Sequence, residues 1–178
     1  MSRGRYQYAI ISSEQFHSQL RSREELTSLR DFLYQHFESV RIIAYVRDQF
    51  SFLKSFFSTY CRVSQTENFD SFISNAEVLS LADYLSKLRL WQQVFGQQNV
   101  CPYSWNTTKK TYGDIVSHFL ELLPVDQKRH EFIFDEKFKN TGIEYLKCCA
   151  FIGINRAIPY FDENGVNPAN KKLKSIIG

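Results

Sequence analysis

The stretch VRIIAYVRDQFSFLKSFFSTY, Val40 to Tyr60, decides the fold, because a strand-like apolar run there gives way to a charged corner and then to a helix. Ile42, Ile43, Ala44, Tyr45 and Val46 form a nearly continuous apolar run with β-branched members, the pattern of a strand buried on both faces of a parallel sheet. Arg47 ends the run. Asp48 is placed to cap a helix over Phe50 to Arg62, in which Leu53, Phe56, Phe57 and Tyr60 recur at helical spacing. Strand ends that hand over to helices line the ligand crevice of an open α/β sheet, and Arg47 stands at that lip. Its guanidinium fork suits phosphate, the helix start supplies free amides, and Ser55 lies about two turns further along. The same spacing also fits an Arg47 paired with Asp48 or another carboxylate, with Ser55 facing solvent.

Working outward, Tyr8 to Ser12 (YAIIS) is short, apolar and β-leaning and predicts another strand, with Ser12, Ser13 and Glu14 at its end. Ser22-Arg23-Glu24-Glu25 matches a capping box, and Leu26, Leu29, Phe32, Leu33 and Phe37 continue it as a helix, so strand, helix and the Val40 to Val46 strand make a right-handed βαβ unit. Parallel strands at 8–12 and 40–46 would open Glu14 and Arg47 into one crevice. After Arg62 the chain is polar and irregular, with Phe69, Phe72 and Ile73 marking a short helix; it reads either as a crevice cover or as a surface connection. Ser80 to Asp83 suggests a second capping box, opening a helix through Leu81, Tyr84, Leu85, Leu88, Trp91 and Phe95 that stops at Gly96. Asn99 to Tyr103 predicts the third strand, at an edge because of Pro102.

Thr107 to Thr111 reads as a polar loop whose Lys109 and Lys110 either attract an anionic glycan or are simply solvated. Asp114 to Leu123 predicts a helix ended by Pro124. Charged residues from Val125 to Asn140, interrupted by Phe132, Ile133, Phe134 and Phe138, precede a third capping box at Thr141 to Glu144, and Ile143 to Ile158 predicts a helix ending near Pro159. The close predicts a turn at Asn164-Gly165 and a frayed basic tail carrying Lys171, Lys172 and Lys174.

Bulk properties narrow the function classes. The chain has 178 residues, 43% of them apolar with sixteen Phe and ten Tyr, enough for a sizeable core in one domain over 1–178. A net charge of +3 gives no reason to expect nucleic acid, yet does not repel an anionic nucleotide or an acidic glycan. No apolar run is long enough for a membrane span and MSRGRYQ lacks a signal segment, so the expected location is cytoplasmic. Cys61, Cys101, Cys148 and Cys149 fit no metal-ligand spacing and read as buried reduced thiols. Asn106-Thr107-Thr108 matches a glycosylation sequon but, with no secretory signal, reads as a polar loop.

An arginine ending a strand with a serine eight positions later, as Arg47 and Ser55 stand, resembles the element by which sulfotransferases grip the 3′-phosphate of 3′-phosphoadenosine 5′-phosphosulfate (PAPS). IISSEQF, IIAYVRDQFSFLKSFFSTY and DYLSKLRLWQQVFGQQNVCPYSW resemble, in order, successive blocks of bacterial sulfotransferase-like proteins that modify carbohydrates, from about Tyr8 to about Pro168. The resemblance implies an α/β, partial P-loop-type three-layer fold, with a short parallel sheet (strands near 8–12, 40–46 and 99–103) flanked by helices. It also implies PAPS as sulfuryl donor, a carbohydrate hydroxyl as acceptor, Arg47 and Ser55 on the donor's 3′-phosphate, and Glu14 as the base that takes the acceptor proton. Away from the resemblance, Glu14 is a first-turn acid favoured by the helix dipole, and His17 is the second choice of base.

One departure stands out. Sulfotransferases begin with a strand and a Gly-rich, Lys-containing loop that cradles the 5′-phosphosulfate, whereas nothing like it precedes Tyr8 and the seven glycines are scattered singly. The expectation is a family member truncated at the N-terminus, whose ending DENGVNPANKKLKSIIG also stops before the family's usual final helices at the C-terminus, weak or inactive by itself. A homo-oligomer or partner segment would then fill the missing strand's place. A non-catalytic remnant, or a nucleotide- or glycan-binding module, is the alternative.

Overall fold

The computed structural model describes residues 8–124 and 143–177. In chain order they form α1 (Gln15–Gln19), α2 (Arg23–His36), β1 (Ile42–Val46), α3 (Gln49–Val63), α4 (Phe69–Ile73), α5 (Ala76–Ala82), α6 (Tyr84–Phe95), a 3₁₀ turn (Gln97–Asn99), β2 (Val100–Ser104), α7 (Trp105–Tyr112), α8 (Ile115–Leu122), α9 (Tyr145–Ala157), the short strands β3 (Phe161–Asp162) and β4 (Gly165–Val166), and α10 (Pro168–Ile177). The class is coarse α/β: β1 and β2 pair in parallel as a two-stranded sheet, and helices supply most of the rest. No described helix is long and apolar enough to cross a membrane.

The expected strand at 8–12 is not formed. Tyr8, Ile10 and Ile11 are 49%, 58% and 58% exposed, and β1 pairs with β2 alone. β-branching favours a strand only where a neighbour takes up its backbone groups, and none does so here. β1 accordingly is half-buried along its whole length instead of buried on both faces.

Two compact units emerge, residues 1–43 with 84–101 and residues 44–83 with 102–178. In the first, the Ser22 hydroxyl accepts from Glu25 N–H while the Glu25 carboxylate accepts from Ser22 N–H, so the expected capping box starts α2. The apolar face of α2 buries Leu26 and Leu33 with Val94, Phe95 and Val100, packed about by Leu29, Phe37, Leu88 and Trp91. The box expected at Ser80 does not form: Ser80 lies inside α5, its hydroxyl donating to the Glu77 carbonyl, and α6 begins afresh at Tyr84. α6 ends where expected, at Gly96, whose φ of +92° a side chain would strain.

The second unit packs α3, α4 and α9 around Phe57, Cys61, Phe72, Cys148, Phe151 and Ile152. Cys61 and Cys148 are buried, as the sequence reading expects, but Cys101 is only half-buried and Cys149 is exposed, the latter since adjacent helical residues face different ways. The loop expected at Thr107 to Thr111 is the body of α7, capped by the Ser104 hydroxyl, which accepts from Thr107 N–H; Lys109 and Lys110 are exposed in its last turn. Asp114 caps α8 through both Val116 and Ser117 N–H. Of the third capping box, Thr141 and Gly142 lie outside the described residues, as do Phe132, Ile133, Phe134 and Phe138.

The chain's close is the largest difference from the sequence reading. α10 is an ordered helix and Lys174 is buried: its ammonium donates to the Arg62 carbonyl at 3.0 Å, to the Val63 carbonyl at 2.9 Å and to Asn155 Oδ1, and it sits 4.7 Å from the Tyr160 ring centroid. These carbonyls are among the last four of α3, which have no partner inside their own helix and carry the negative end of its dipole. Asn155 donates to the Cys61 and Gln65 carbonyls, and Asn170, fully buried, donates to Asn155 Oδ1 and the Ile158 carbonyl. A cation that looks like tail solvation in the sequence is the cap of another helix.

Candidate functional site

Arg47 follows β1 directly, Asp48 caps α3, and the neighbouring strand β2 ends in Ser104, which caps α7. Two parallel strands therefore each deliver a helix start beyond their C-terminal ends, where an open α/β sheet keeps its ligands. The Arg47 guanidinium carbon lies 5.1 Å from the centroid of the Trp105 ring, at cation–π distance. Asp48 is fully engaged. Its Oδ1 accepts from Ser51 N–H at 2.8 Å and its Oδ2 accepts from Asn106 Nδ2 at 3.2 Å.

Those bonds, the Ser51 backbone N–H first, hold the Asp48 carboxyl below the usual carboxylate range, with Asn106 and the Arg47 charge adding to the effect. Arg47 forms no ion pair with any described carboxylate. The pairing of Arg47 with Asp48, left open by the sequence, is not made. Ser55 is exposed on α3, and its carbonyl accepts from the Thr59 hydroxyl. At seven residues from Asp48 it lies on the same helix face, about 10 Å along the axis.

Glu14 belongs to the first unit. It occupies the cap position of the short helix α1, is exposed, and its carboxylate makes no capping bond. It is therefore not the first-turn acid of the sequence reading. Glu14 and His17 belong to the first unit, Arg47 and Ser55 to the second, and the strand expected to lead Glu14 to the crevice is not formed. His17 is half-buried against Tyr84; burial, then Lys87 and Arg21, holds its imidazole below the ordinary value.

Sequence reasoning missed the aromatic cluster behind the corner. His118 of α8 is buried, its ring centroid 4.6 Å from Tyr103, 4.7 Å from Tyr112 and 5.7 Å from Tyr45, and its Nδ1 is hydrogen-bonded to the Tyr45 hydroxyl at 2.8 Å. Burial, and then Tyr103, pushes the Tyr45 hydroxyl above its ordinary value. Tyr45 lies in β1 and Tyr103 in β2, the paired neighbouring strand, so their rings meet only once the two strands pair. Asn106, which reads as part of a polar loop in the sequence, is instead the second residue of α7, directly after Trp105. Among the described residues, no group of three or more His, Cys, Asp or Glu is arranged to hold a metal ion.

Compared with known protein-family models, with curated proteins and with solved structures, the chain finds no match in any of the three.

Proposed function

We propose that this chain is a sulfotransferase-like protein of partial P-loop-type fold, which transfers a sulfuryl group from PAPS to a carbohydrate hydroxyl and is weak or inactive as this chain alone. The observation that carries the reading is the Arg47 guanidinium, within cation–π distance of Trp105 and free of any described carboxylate at the mouth of α3. An arginine left unpaired beside a helix start suits a phosphate dianion, which can take two parallel N–H bonds from its fork. The donor's 3′-phosphate sits there, with the Ser55 hydroxyl on the same face of α3 as its second contact.

In this reading the acceptor oxygen attacks sulfur in line. The bond from sulfur to the bridging phosphate oxygen breaks, its electron pair stays on the 5′-phosphate, and adenosine 3′,5′-bisphosphate leaves. Glu14 takes the acceptor proton, an assignment that rests on the resemblance. Such a transfer leans on donors placed around the developing charge, and each missing one costs about 10² to 10³ in rate. Residues 8–124 and 143–177 show no glycine-rich lysine loop to supply them.

A second reading, a nucleotide- or glycan-binding module without chemistry, is favoured by the absence of the 8–12 strand that was to lead Glu14 to the crevice. Two measurements separate the readings. Incubation with labelled PAPS and glycan acceptors is expected to give slow, Arg47-dependent transfer; none at all selects the binding module. Adenosine 3′,5′-bisphosphate is expected to raise the melting temperature, by the equivalent of about 2.7 kcal/mol at 100 times its dissociation constant. No shift, together with no effect of Arg47→Ala on any ligand, sinks the transferase reading and favours a non-catalytic remnant.

A further inference from the structure

We propose that Trp105 and Asn106, the first two residues of α7, are positioning residues that keep the Arg47 fork open for a phosphate monoester by preventing it from closing on Asp48. The inference rests on the reading above for its ligand, but not for its geometry.

The chain contains its own control. Arg30 and Asp31 are also an adjacent arginine and aspartate, and they close on one another: Nε donates to Asp31 Oδ1 at 2.9 Å and Nη2 at 2.7 Å. Arg47 and Asp48 have the same two side chains in the same order and make no such pair. Backbone conformation differs, since Arg30 and Asp31 lie within α2 whereas Arg47 and Asp48 join a strand to a helix. The surroundings differ as well. Asp31 has only Arg30 as a described polar partner, whereas both Asp48 oxygens are occupied, Oδ1 by the backbone of α3 and Oδ2 by Asn106.

On the other side, Trp105 takes the guanidinium at its ring. Contact with an aromatic face engages the flat of the guanidinium and leaves its in-plane N–H groups pointing outward, the arrangement a phosphate needs for two parallel bonds. Holding the plane beforehand also lowers the ordering cost when the anion arrives. Both residues come from one helix start, set by the Ser104 cap at the end of β2. The strand next to Arg47 thus delivers the two side chains that keep it open.

The test uses the full chain with Trp105→Leu, Trp105→Phe and Asn106→Ala. One readout is the Arg47 Nε–Hε resonance and its order parameter by NMR; the other is calorimetric titration with adenosine 3′,5′-bisphosphate. Trp105→Leu is expected to loosen the Arg47 side chain and weaken binding about 3- to 30-fold, while Trp105→Phe retains most of both. Asn106→Ala is expected to move the Arg47 resonance toward that of the paired Arg30 and to weaken binding, without relying on a change at the aromatic ring. An Arg47 side chain equally ordered and unshifted in all four proteins overturns the proposal. So does unchanged bisphosphate affinity in both Trp105→Leu and Asn106→Ala. If the wild type binds no bisphosphate, the functional reading falls and the NMR comparison alone decides the positioning.

Discussion

At the scale of single residues, the chain spends one arginine on structure and holds another in reserve. Arg30 is closed on its neighbour, and Arg47 lies over Trp105 with no ion pair to a described carboxylate. If Arg47 takes the 3′-phosphate, Arg47→Ala should weaken adenosine 3′,5′-bisphosphate about 10- to 100-fold, the loss of hydrogen bonds to a charged group. Arg47→Lys should recover only part of this, because an ammonium offers a point charge without the fork and cannot stack in the same way. Calorimetric titration of both variants checks it, and equal affinities for wild type and Arg47→Ala would remove the 3′-phosphate from this corner. Tyr45→Phe tests the cluster behind it: losing the bond to His118 should cost about 1 kcal/mol in denaturant unfolding while leaving Arg47 in place. The place of Arg47 was legible because a strand end followed by a capping aspartate is a local pattern. Its surroundings were not, since Trp105, which takes Arg47 at its ring, and Asn106, which donates to Asp48, lie some 58 residues away along the chain and arrive only when β1 and β2 pair.

At the scale of elements, what the sequence displayed well were helices whose apolar stripe and cap agree. Ser22 with Glu25 started α2, Asp48 started α3 and Asp114 started α8, each a side chain meeting backbone amides two or three residues on. The misreadings share a cause: each depended on something distant. Residues 8–12 have the composition of a strand and lack a neighbour to pair with. Ser80 has the right spacing for a capping box and is already inside α5. Lys174 looks like a surface charge and instead closes the end of α3 through the Arg62 and Val63 carbonyls. That last contact predicts a measurable cost. Lys174→Ala leaves those carbonyls and Asn155 Oδ1 without their donor, and should lower unfolding free energy by about 1.5–3 kcal/mol, the range for bonds to a charged group. Lys171→Ala, on the exposed side of the same helix, should change it by less than about 0.5 kcal/mol. Equal effects of the two substitutions in urea titrations would mean that the buried ammonium contributes nothing to holding α10.

At the scale of the whole molecule, the shifted groups set how stability follows pH, and their signs can be added. Burial pushes the Cys61 thiol up from 9.0 to about 12, with Cys148 and Cys149 nearby adding to the shift and Lys174 opposing it. Cys148 and Tyr45 are raised as well, burial leading in both. For each of these the folded chain keeps a proton that the unfolded chain loses, so the stabilisation is complete below the ordinary value and disappears as pH climbs toward the folded one. Lys174 works the other way: burial lowers it from 10.5, so the folded state sheds its proton first and gains relative stability as pH rises toward that value. At the acid end Asp48, Glu25 and Asp114 are lowered by the backbone amides they accept from, and His17 by burial, so their contributions are present above the ordinary values and are lost on acidification. One lysine set against two thiols and two phenols, Tyr45 and Tyr145, the latter raised first by its hydrogen bond with Cys149, leaves a net loss on the alkaline side, beginning near 9.0, where the unfolded thiols ionise. Melting temperatures measured at about pH 7.5, 9 and 10.5 should therefore fall, and the fall should be shallower in Cys61→Ala, which starts lower because it opens a small cavity, and steeper in Lys174→Met. A Cys61→Ala curve that drops in parallel with the wild type would show that the buried thiol does not govern the alkaline limb.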